Sequence, residues 1–511
     1  MGDAVFTDVW RICRRPAHPQ PGRSARPAGI RRLSRSAGTH RRLGALRARP
    51  ESRETRRRAR KPGALRRFRR ARRIPSFAPY AAWRWCRHPA RRGVFTGGLN
   101  LPGARPPPSS RNRALTISLP VIFASGVSGM SPAFGRLLTA AALAALVFAP
   151  LPAAAETGVT DREILLGQSV ALSGTLGALG KQYTAGAQLY LDAINEAGGV
   201  HGRRIRLLSV DDGYDTQRAL DNTRKLLRED KVFALFNYLG TGIATAHLPV
   251  IVAEKVPFFA PYSGADHLRK THNRYLFHIR ASYSDEAEKI VEHLHSLGYS
   301  RIGVLQNNDV FGRSALASIE EAMTRRKIRP AAVGVIESNS NDARAAAAAL
   351  APYDPQVIIL ASAGGGAIAF IREYAKKELR TQYYAFSVVS SEQLIRELGP
   401  DSQGITVTQV MPFPWKSLLG ITREYQRLLT ARDPSAKPGY THFEGFVAAK
   451  AFVEALRLAG RDLTRERLLA SLQRMDALDL GGFVLSFRPG NHNGSRFVEL
   501  TLIGKDGKFV Q

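Results

Sequence analysis

The spacing of hydrophobic positions between residues 164 and 210 predicts a strand, a helix and a second strand. Residues 164–172 form a largely apolar run of a length typical of a buried strand. Farther along, Ala187, Leu191 and Ile194 are spaced four and three apart, so they lie on one face of a helix. Residues 205–210 supply the second strand. Such a unit places a polar loop at the carboxyl end of a parallel strand, where open α/β sheets bind their ligands.

Strands and helices continue to alternate through the rest of the chain. Further strands are predicted at residues 232–238, 257–260, 275–280, 301–306, 331–336, 357–361, 383–386 and 405–409, with helices between them. This alternation predicts parallel sheets that are covered by helices on both faces. The last two apolar segments, at residues 483–487 and 498–503, are expected to pair as a hairpin. The sequence therefore predicts an α/β protein of two Rossmann-like lobes with parallel-sheet cores, joined by a hinge.

Basic residues are concentrated in the first 129 positions. This part holds 31 Lys and Arg residues against four Asp and Glu residues, within a chain whose net charge is +33. Its apolar residues follow no sustained period, so it has little means of burying a core. Arginine runs can bind phosphate backbones through charge, but this nearly lysine-free composition is also typical of GC-rich DNA translated upstream of a true start. We expect residues 1–129 to be an untranslated or disordered extension, with a basic tail or an unusual targeting segment as the alternatives.

A secretory signal is predicted directly after this basic part. It has a single arginine, Arg136, followed by an uncharged apolar stretch and by three alanines at 153–155. The apolar stretch is shorter than the roughly 20 residues that a membrane span needs. We therefore expect a signal peptide at residues 130–155 and export to the periplasm. Both cysteines, Cys13 and Cys86, precede the expected cleavage site, so the mature chain would have no thiolate metal site.

Sequence motifs for catalysis are missing after the predicted signal peptide. There is no G-x-S-x-G, no H-E-x-x-H and no cysteine nucleophile. The loop at residues 240–245 imitates a dinucleotide fingerprint, but the third glycine and the acid that would hold a ribose are missing. The three glycines at 364–366 lack the GK[ST] ending of a phosphate loop. These observations favour a binding protein over an enzyme, with no cofactor and no metal expected.

Several phrases of the sequence resemble one family. ALSGTLGALG, AINEAGGVHGRRI, VDDGYD, FNYLGTGIATAHLP and NNDVFGRSALASIEEAM resemble the type I periplasmic binding proteins, especially the leucine/isoleucine/valine-binding receptors of ABC importers. The resemblance implies lobe one at residues 156–281 plus 412–481 and lobe two at residues 282–411 plus 482–511, closing on a ligand by hinge bending. The partners that it implies are a small-molecule ligand and the importer's membrane permease. No nucleic-acid partner is expected, and the protein is expected to be a monomer.

The resemblance also implies which residues bind the ligand. Thr241 matches the family hydroxyl that takes a ligand carboxylate, and the helix N-terminus behind it favours an anion. Tyr262 and Gly264 match a pair whose backbone groups meet the ligand, and Phe311 matches a tyrosine that covers it. The complete set is Ser173, Leu179, Thr241, Tyr262, Ser263, Gly264, Phe311, Ala363 and Val388. A plain turn at Thr241 and simple core packing of Phe311 remain as alternatives.

Two positions depart from the family pattern. Ala363 stands where relatives have an aromatic, and no acid stands at Ser387 or Val388, where relatives pair a carboxylate with an amino acid's ammonium. A buried ammonium without a partner costs several kcal/mol. A small carboxylate, an amide or an aromatic acid therefore fits at least as well as a hydrophobic amino acid, with Glu444 as an alternative cation partner.

The hypothesis from sequence is a periplasmic solute-binding protein of a branched-chain-amino-acid-type ABC importer. It is expected to bind a small organic ligand between two lobes and to catalyse no reaction. A Rossmann-like enzyme and a sensor or regulator on the same receptor fold are the alternatives.

Overall fold

Two large sheets, each flanked by helices, and one small two-stranded sheet occur in the part of the chain that the structure describes, residues 156–510 of a computed structural model. The predicted extension at residues 1–129 and the predicted signal peptide at residues 130–155 lie outside these residues. Within 156–510, no helix is both long enough and apolar enough to span a membrane.

Strands occur where the sequence has short apolar runs. The strands are β1 (Glu163–Val170), β2 (Arg204–Asp211), β3 (Ala234–Phe236), β4 (Phe258–Phe259), β5 (Leu276–Phe277), β6 (Ile302–Asn307), β7 (Ala332–Ile336), β8 (Val357–Ala361), β9 (Gln382–Ala385), β10 (Thr406–Gln409), β11 (Leu478–Asp479), β12 (Val484–Leu485), β13 (Glu499–Ile503) and β14 (Phe509–Val510). Most of the central strands are buried, as expected for parallel sheets that are covered on both faces.

The α-helices connect the strands. They are α1 (Gly177–Glu196), α2 (Thr216–Arg228), α3 (Thr241–Ala253), α4 (His267–Lys270), α5 (Tyr283–Ser296), α6 (Val310–Arg325), α7 (Arg344–Leu350), α8 (Gly365–Ala375), α9 (Ser391–Leu398), α10 (Gly420–Arg432), α11 (Tyr440–Ala459) and α12 (Arg465–Leu472), with short 3-10 turns at Ala351–Tyr353, Gly399–Ser402 and Lys505–Gly507. Several begin at a side-chain cap: Asp215 accepts from the backbone N–H of Arg218, and Asp309 from that of Gly312.

The first lobe is built on a parallel sheet with the strand order β2-β1-β3-β4-β5. The register of β1 against β2 runs from Glu163 opposite Arg204 to Val170 opposite Asp211. Helix α11 crosses α1 so closely that a Cβ atom at Gly186 would lie 1.7 Å from the carbonyl oxygen of His442. Only glycine fits at that position, and the close approach ties the returning chain to the first lobe.

The second lobe is built on a larger sheet with the order β14-β13-β10-β9-β8-β6-β7. Strands β6 to β10 are parallel, whereas β13 runs antiparallel to β10 and β14 antiparallel to β13. The two sheets with their helices confirm the α/β prediction with parallel-sheet cores. The antiparallel edge formed by β13 and β14 was not predicted.

The predicted hairpin near the C-terminus is wrong. β12 pairs with β11, and β13 pairs with β10, so the two segments belong to different sheets. The cause is aromatic packing: the ring of Phe487, just after β12, lies 5.5 Å from Phe277 and 6.2 Å from Phe259 in the first lobe. Because of these contacts, the chain stays in the first lobe beyond residue 482, where the sequence predicted that it enters lobe two. We propose that it enters lobe two between Gly494 and Glu499.

Candidate ligand-binding site

Three hydroxyl groups meet at the N-terminus of α3, directly after β3. The helix begins at Thr241, which follows Gly240 in a backbone conformation with φ 118° that favours glycine. The Thr241 Oγ1 atom lies 2.9 Å from Ser263 Oγ and 3.3 Å from Tyr283 Oη. Tyr283 opens helix α5 of the second lobe, so the hydroxyls come from both lobes. Free backbone N–H groups and the helix dipole favour an anion at such a position.

The backbone of Gly264 lies against the same tyrosine. Its carbonyl oxygen accepts a 2.7 Å hydrogen bond from the backbone N–H of Tyr283. A Cβ atom at Gly264 would lie 2.6 Å from the Tyr283 ring, so a larger residue would displace that ring. Gly264 therefore positions Tyr283 over Thr241, a role that the sequence did not predict.

Ser173 forms hydrogen bonds with Asp211 at the end of the neighbouring strand β2. Its Oγ donates to Asp211 Oδ2 over 2.6 Å, while the backbone N–H groups of Leu172 and Ser173 donate to Oδ1 over 2.7 and 3.2 Å. Burial works against ionisation, but these hydrogen bonds prevail and lower the pKa of Asp211. The adjacent Asp212 accepts from Ser169 Oγ over 2.8 Å, and its pKa rises to about 6 because it is buried.

Sequence reasoning missed Tyr214. Its φ is 65°, which is uncommon for an aromatic residue, and its backbone N–H donates to Asp212 Oδ1 over 2.8 Å. The ring lies against Gly240, where a Cβ atom would come within 2.6 Å of Cε2. Burial raises the pKa of Tyr214, and so do the nearby Asp309 and Tyr283 of the second lobe. Tyr214 therefore lies where the lobes meet, beside the α3 N-terminus; its only sequence signal was the VDDGYD run after a strand.

Phe311 covers this region from the second lobe. It is the second residue of α6 and is buried, with its ring centroid 5.5 Å from that of Tyr283 in an edge-to-face arrangement. Phe311 therefore packs against Tyr283 and also lies beside the three hydroxyls.

The lobes also touch at the loop before α1, where the Thr175 hydroxyl donates to Asn339 Oδ1 over 2.8 Å. Gly364 lies beside the same loop, and the partly buried Ala363 precedes it.

The remaining predicted residues fall into two groups. Leu179 is buried in the first turn of α1, within the core of lobe one. Tyr262 and Val388 lie at a second contact between the lobes, because the Tyr262 hydroxyl donates to the carbonyl oxygen of Ser387 over 3.4 Å. The structure therefore brings Thr241, Ser263, Gly264 and Phe311 together around Tyr283, whereas Tyr262 and Val388 belong to the second contact.

A buried arginine joins this second contact. Arg280, in the segment between β5 and α5, donates through Nη2 to Ser387 Oγ and is fully buried. Its guanidinium carbon lies 4.3 Å from the ring centroid of Tyr262, a cation–π contact. Its Nε atom lies 3.6 Å from Glu444 Oε1 of helix α11. Within the described residues, Arg280 Nε and Nη1 make no hydrogen bond.

Two buried glutamates, Glu286 and Glu444, and the partly buried Glu392 lie around the contact between the lobes. Glu286 accepts from the backbone N–H of Ser387 over 2.8 Å and from Thr408 Oγ1 over 2.5 Å. Glu392 accepts from the backbone N–H of Tyr440 over 2.7 Å. Burial raises the pKa of Glu444 to about 7, although the guanidinium of Arg280 opposes the shift. Within residues 156–510 no group of three or more His, Cys, Asp or Glu side chains could hold a metal ion.

A family model described as periplasmic binding protein matches residues 163–508. The chain belongs to this family. Its fold and family are those of solute-binding proteins, and the two-lobed type I architecture is confirmed. The Leu/Ile/Val-binding protein homolog 8 of Brucella abortus (strain 2308) is 21% identical over 378 residues, which covers 68% of this chain and 90% of that protein.

Solved structures of solute-binding proteins have a similar fold. A substrate-binding periplasmic protein from Ralstonia solanacearum is 31% identical, with a TM-score of 0.65, covering 68% of this chain and 100% of the other. A solute-binding protein of an ABC transporter from R. palustris, solved in complex with benzoate, is 20% identical with a TM-score of 0.61, covering 68% and 95%. At that lower identity the likeness shows the fold alone. Relatives on this fold are thus named for different ligands.

Proposed function

We propose that this periplasmic binding protein is the solute receptor of an ABC importer and binds one small organic ligand between its lobes. The observation that carries the proposal is the meeting of Thr241, Ser263 and Tyr283 at the N-terminus of α3. Because Tyr283 belongs to the second lobe, an anionic group bound there would contact both lobes at once. Such a contact favours the closed arrangement, since a ligand shifts an equilibrium by its differential affinity for the two states.

We assign roles to the predicted residues on this basis. Thr241 and Ser263 bind the anionic end of the ligand with the α3 backbone N–H groups, and Gly264 holds Tyr283 in place. Phe311 and Tyr262 supply apolar surface for the ligand body. The remaining predicted residues, Ser173, Leu179, Ala363 and Val388, border the cleft and shape it.

The proposal extends to partners and location. The receptor is exported by the signal peptide at residues 130–155, acts in the periplasm as a monomer, and delivers its ligand to a membrane permease. It catalyses no reaction and needs no cofactor. Support comes from the family and from the fold, which is shared with a solute-binding protein of an ABC transporter from R. palustris.

Ligand-dependent stabilisation tests the proposal. The purified protein is heated with a panel of amino acids, carboxylic acids, amides and sugars, and hits are measured by calorimetry. We expect one chemical class to raise the melting temperature with a 1:1 stoichiometry. A ligand that is converted to product, or a broad panel in which nothing binds, would contradict the proposal.

A matched pair of variants tests the place of binding. Thr241→Val removes one of the three hydroxyls and should weaken binding at least about 10-fold, since a lost hydrogen bond to a charged group is large. Thr245→Val, one turn farther along α3, removes a hydroxyl that bonds to Thr241 O and His267 instead. It should leave the affinity within about twofold. If the two variants weaken binding equally, the ligand does not bind at the N-terminus of α3.

A further inference from the structure

We propose that closing the two lobes captures one proton from water at a buried cluster of two carboxylates and one guanidinium, so that lower pH favours the closed arrangement. The cluster consists of Arg280, Glu286 and Glu444 and lies where the lobes meet. This proton site goes beyond solute binding, because the proton binds to side chains of the protein and needs no solute. Three observations carry it: the cluster draws on both lobes, its charges do not balance, and two of its carboxylate oxygens make no hydrogen bond.

The cluster joins elements of both lobes. Glu444 belongs to α11 of the first lobe and Glu286 to α5 of the second, and Arg280 lies in the segment that crosses between the lobes before α5. Arg280 Nη2 donates to Ser387 Oγ of the second lobe, while Nε lies 3.6 Å from Glu444 Oε1 of the first. A hinge movement that separates the lobes therefore separates the two carboxylates and admits water between them.

Within residues 156–510, one cation acts on both carboxylates of the cluster. The exposed fraction is 0% for Arg280 and Glu286 and 3% for Glu444, so little water screens their charges. The guanidinium of Arg280 opposes the effect of burial on the pKa of each carboxyl group. With both acids ionised, the cluster would carry one uncompensated negative charge away from water, which is costly. A single added proton makes the cluster neutral.

Hydrogen bonds indicate which carboxylate takes the proton. Glu286 accepts from the backbone N–H of Ser387 over 2.8 Å and from Thr408 Oγ1 over 2.5 Å, and these donors favour its ionised form. Among the described residues, Glu286 Oε1 and Glu444 Oε1 make no hydrogen bond. The 3.6 Å between Glu444 Oε1 and Arg280 Nε is too long for a good one. We therefore assign the proton to Glu444, in agreement with the burial that raises its pKa to about 7.

Most other titratable groups that face the cluster keep one form between about pH 5 and pH 8. Burial raises the pKa of three tyrosines above the usual 10, so they stay protonated: Tyr183 of α1, Tyr262 after β4 and Tyr283 of α5. On α11 itself, burial lowers the pKa of His442 to about 4, so this histidine stays neutral. These four groups therefore do not take up the proton.

Two further charged groups lie near the cluster. Burial lowers the pKa of Arg269 to about 10, so it stays charged, and Asp266 and Asp285 offset its charge. Glu392 of α9 is partly buried and accepts from the backbone N–H of Tyr440, and burial raises its pKa. Glu392 is therefore the group whose titration must be separated from that of Glu444.

Linkage gives the direction of the effect. Opening the lobes returns Glu444 to water and its pKa towards the usual 4.5, so the closed arrangement holds the proton more tightly than the open one. The ratio of closed to open molecules should therefore be highest below about pH 4.5 and fall as pH rises through about 7. One pKa unit of difference corresponds to a factor of about 10 in this ratio. We expect a fall of at least about 10-fold between about pH 5 and pH 8.

Fluorescence energy transfer between the lobes, measured on single molecules without solute, gives this ratio. Lys181 of α1 and Ala345 of α7 are exposed and belong to different lobes, so both are replaced by cysteine and labelled. Cys13 and Cys86 are replaced by serine so that the two labelling positions alone react. The ratio should fall with rising pH as stated. A ratio that stays constant, with the lobes open or closed throughout, would overturn the proposal.

Two variants that keep the shape of the side chain identify the proton site. Glu444→Gln does not titrate and resembles the protonated acid, so its lobes should remain closed at about pH 8 and the pH response should be lost. Glu286→Gln keeps an acceptor oxygen for Ser387 and Thr408 but leaves one carboxylate with one cation. Closing then needs no proton, and the response should fall to less than about threefold. A full response in either folded variant would overturn the proposal.

Two control variants complete the test. Glu454→Gln lies on the same helix as Glu444, in an ion pair with Arg457, and should keep the full response. Glu392→Gln removes the other acid with a raised pKa at the contact and should also keep it. Loss of the response in either control would place the proton elsewhere and overturn the assignment to Glu444.

The outcomes separate this proton site from the proposed function. If the ratio responds to pH as expected but no compound of the solute panel binds, the receptor function is contradicted and the proton site stands. If a solute binds with 1:1 stoichiometry but the ratio does not respond to pH, the receptor function stands and the proton site is overturned.

Discussion

The carboxylate of Glu392, in the second lobe, accepts a 2.7 Å hydrogen bond from the backbone N–H of Tyr440, the first residue of the first-lobe helix α11. The cap residue of that helix is Gly439, which has no side chain to offer, and a Cβ atom there would lie only 3.0 Å from Glu392 Oε1. The Tyr440 hydroxyl adds a 3.1 Å contact to Thr501 Oγ1 in β13. One lobe thus caps a helix of the other.

Removing this cap should destabilise the contact between the lobes. Glu392→Ala leaves the Tyr440 N–H buried without an acceptor, and we expect the free energy of unfolding to fall by about 1–2 kcal/mol. Glu392→Gln keeps an acceptor oxygen and should cost clearly less. Urea denaturation measures both, and small-angle scattering shows whether the alanine variant is more open. Glu320→Ala, at an exposed position on α6, is the control; a loss as large as that of Glu392→Ala would argue against the cap.

Glu444 gives the stability of the protein a defined dependence on pH. Burial first, and Glu286 in addition, raises its pKa from a usual 4.5 to about 7, while Arg280 acts in the opposite direction. The folded protein therefore holds this proton more tightly than the unfolded chain does. The stabilisation that results is fully present below about pH 4.5 and is lost as pH rises towards 7.

The variant Glu444→Gln isolates this effect, because glutamine does not titrate. Between about pH 5 and pH 8, the free energy of unfolding of the variant should rise relative to the natural protein by roughly 1–3 kcal/mol. The comparison with the natural protein is needed because burial lowers the pKa of His442 and His492 to about 4, and these groups act in the opposite direction. A difference that stays constant with pH would show that Glu444 does not titrate in this range.

The contact between Tyr214 and Gly240 should make that glycine irreplaceable. Gly240→Ala places a Cβ atom 2.6 Å from the Tyr214 ring in a backbone conformation that alanine adopts only under strain. Gly202 also has a positive φ, but a Cβ atom there meets nothing within 4 Å. Gly240→Ala should therefore cost roughly 2 kcal/mol more than Gly202→Ala in thermal unfolding. Adding Tyr214→Ala should recover part of that excess, and no recovery would mean that another contact causes the loss.

Local patterns predicted much of the architecture and part of the site. The alternation of apolar runs with helical periods gave most strands and helices, because parallel strands buried on both faces have a distinctive composition. Thr241 was placed correctly at a helix start by the strand and glycine that precede it. The hairpin failed because neighbouring segments were paired by sequence distance, whereas Phe487 anchors one of them to the first lobe.

The parts of the site that depend on both lobes could not be read from the sequence. Tyr283 reaches Thr241 across 42 positions, and Arg280 reaches Ser387 across 107. No local period or spacing carries such information, because it follows from how the sheets are joined. The sequence did show the lack of an acid at Ser387 and Val388, but the buried arginine beside Ser387 appeared only in the structure.

Trp415 should report binding through its fluorescence. It lies between β10 and α10, where the chain passes from the second lobe to the first, and its ring stacks 4.4 Å from Phe509 and lies 5.2 Å edge-on from Tyr440. These partners belong to different lobes, so a change in the angle between the lobes should alter the packing around the indole and shift its emission. The other three tryptophans all precede residue 86.

Titration with a ligand that stabilises the protein should therefore change the tryptophan emission along the same binding curve that calorimetry gives. Trp415→Phe keeps an aromatic ring against Phe509 and should abolish the change while leaving the affinity within about twofold, because Trp415 is outside the proposed ligand contacts. A signal that persists in Trp415→Phe would arise from the tryptophans of the first 129 residues. If the variant loses affinity together with the signal, the aromatic cluster of Trp415, Tyr440 and Phe509 is part of the contact that forms when the lobes close on the ligand. That contact would then be coupled to the cap that Glu392 provides for Tyr440.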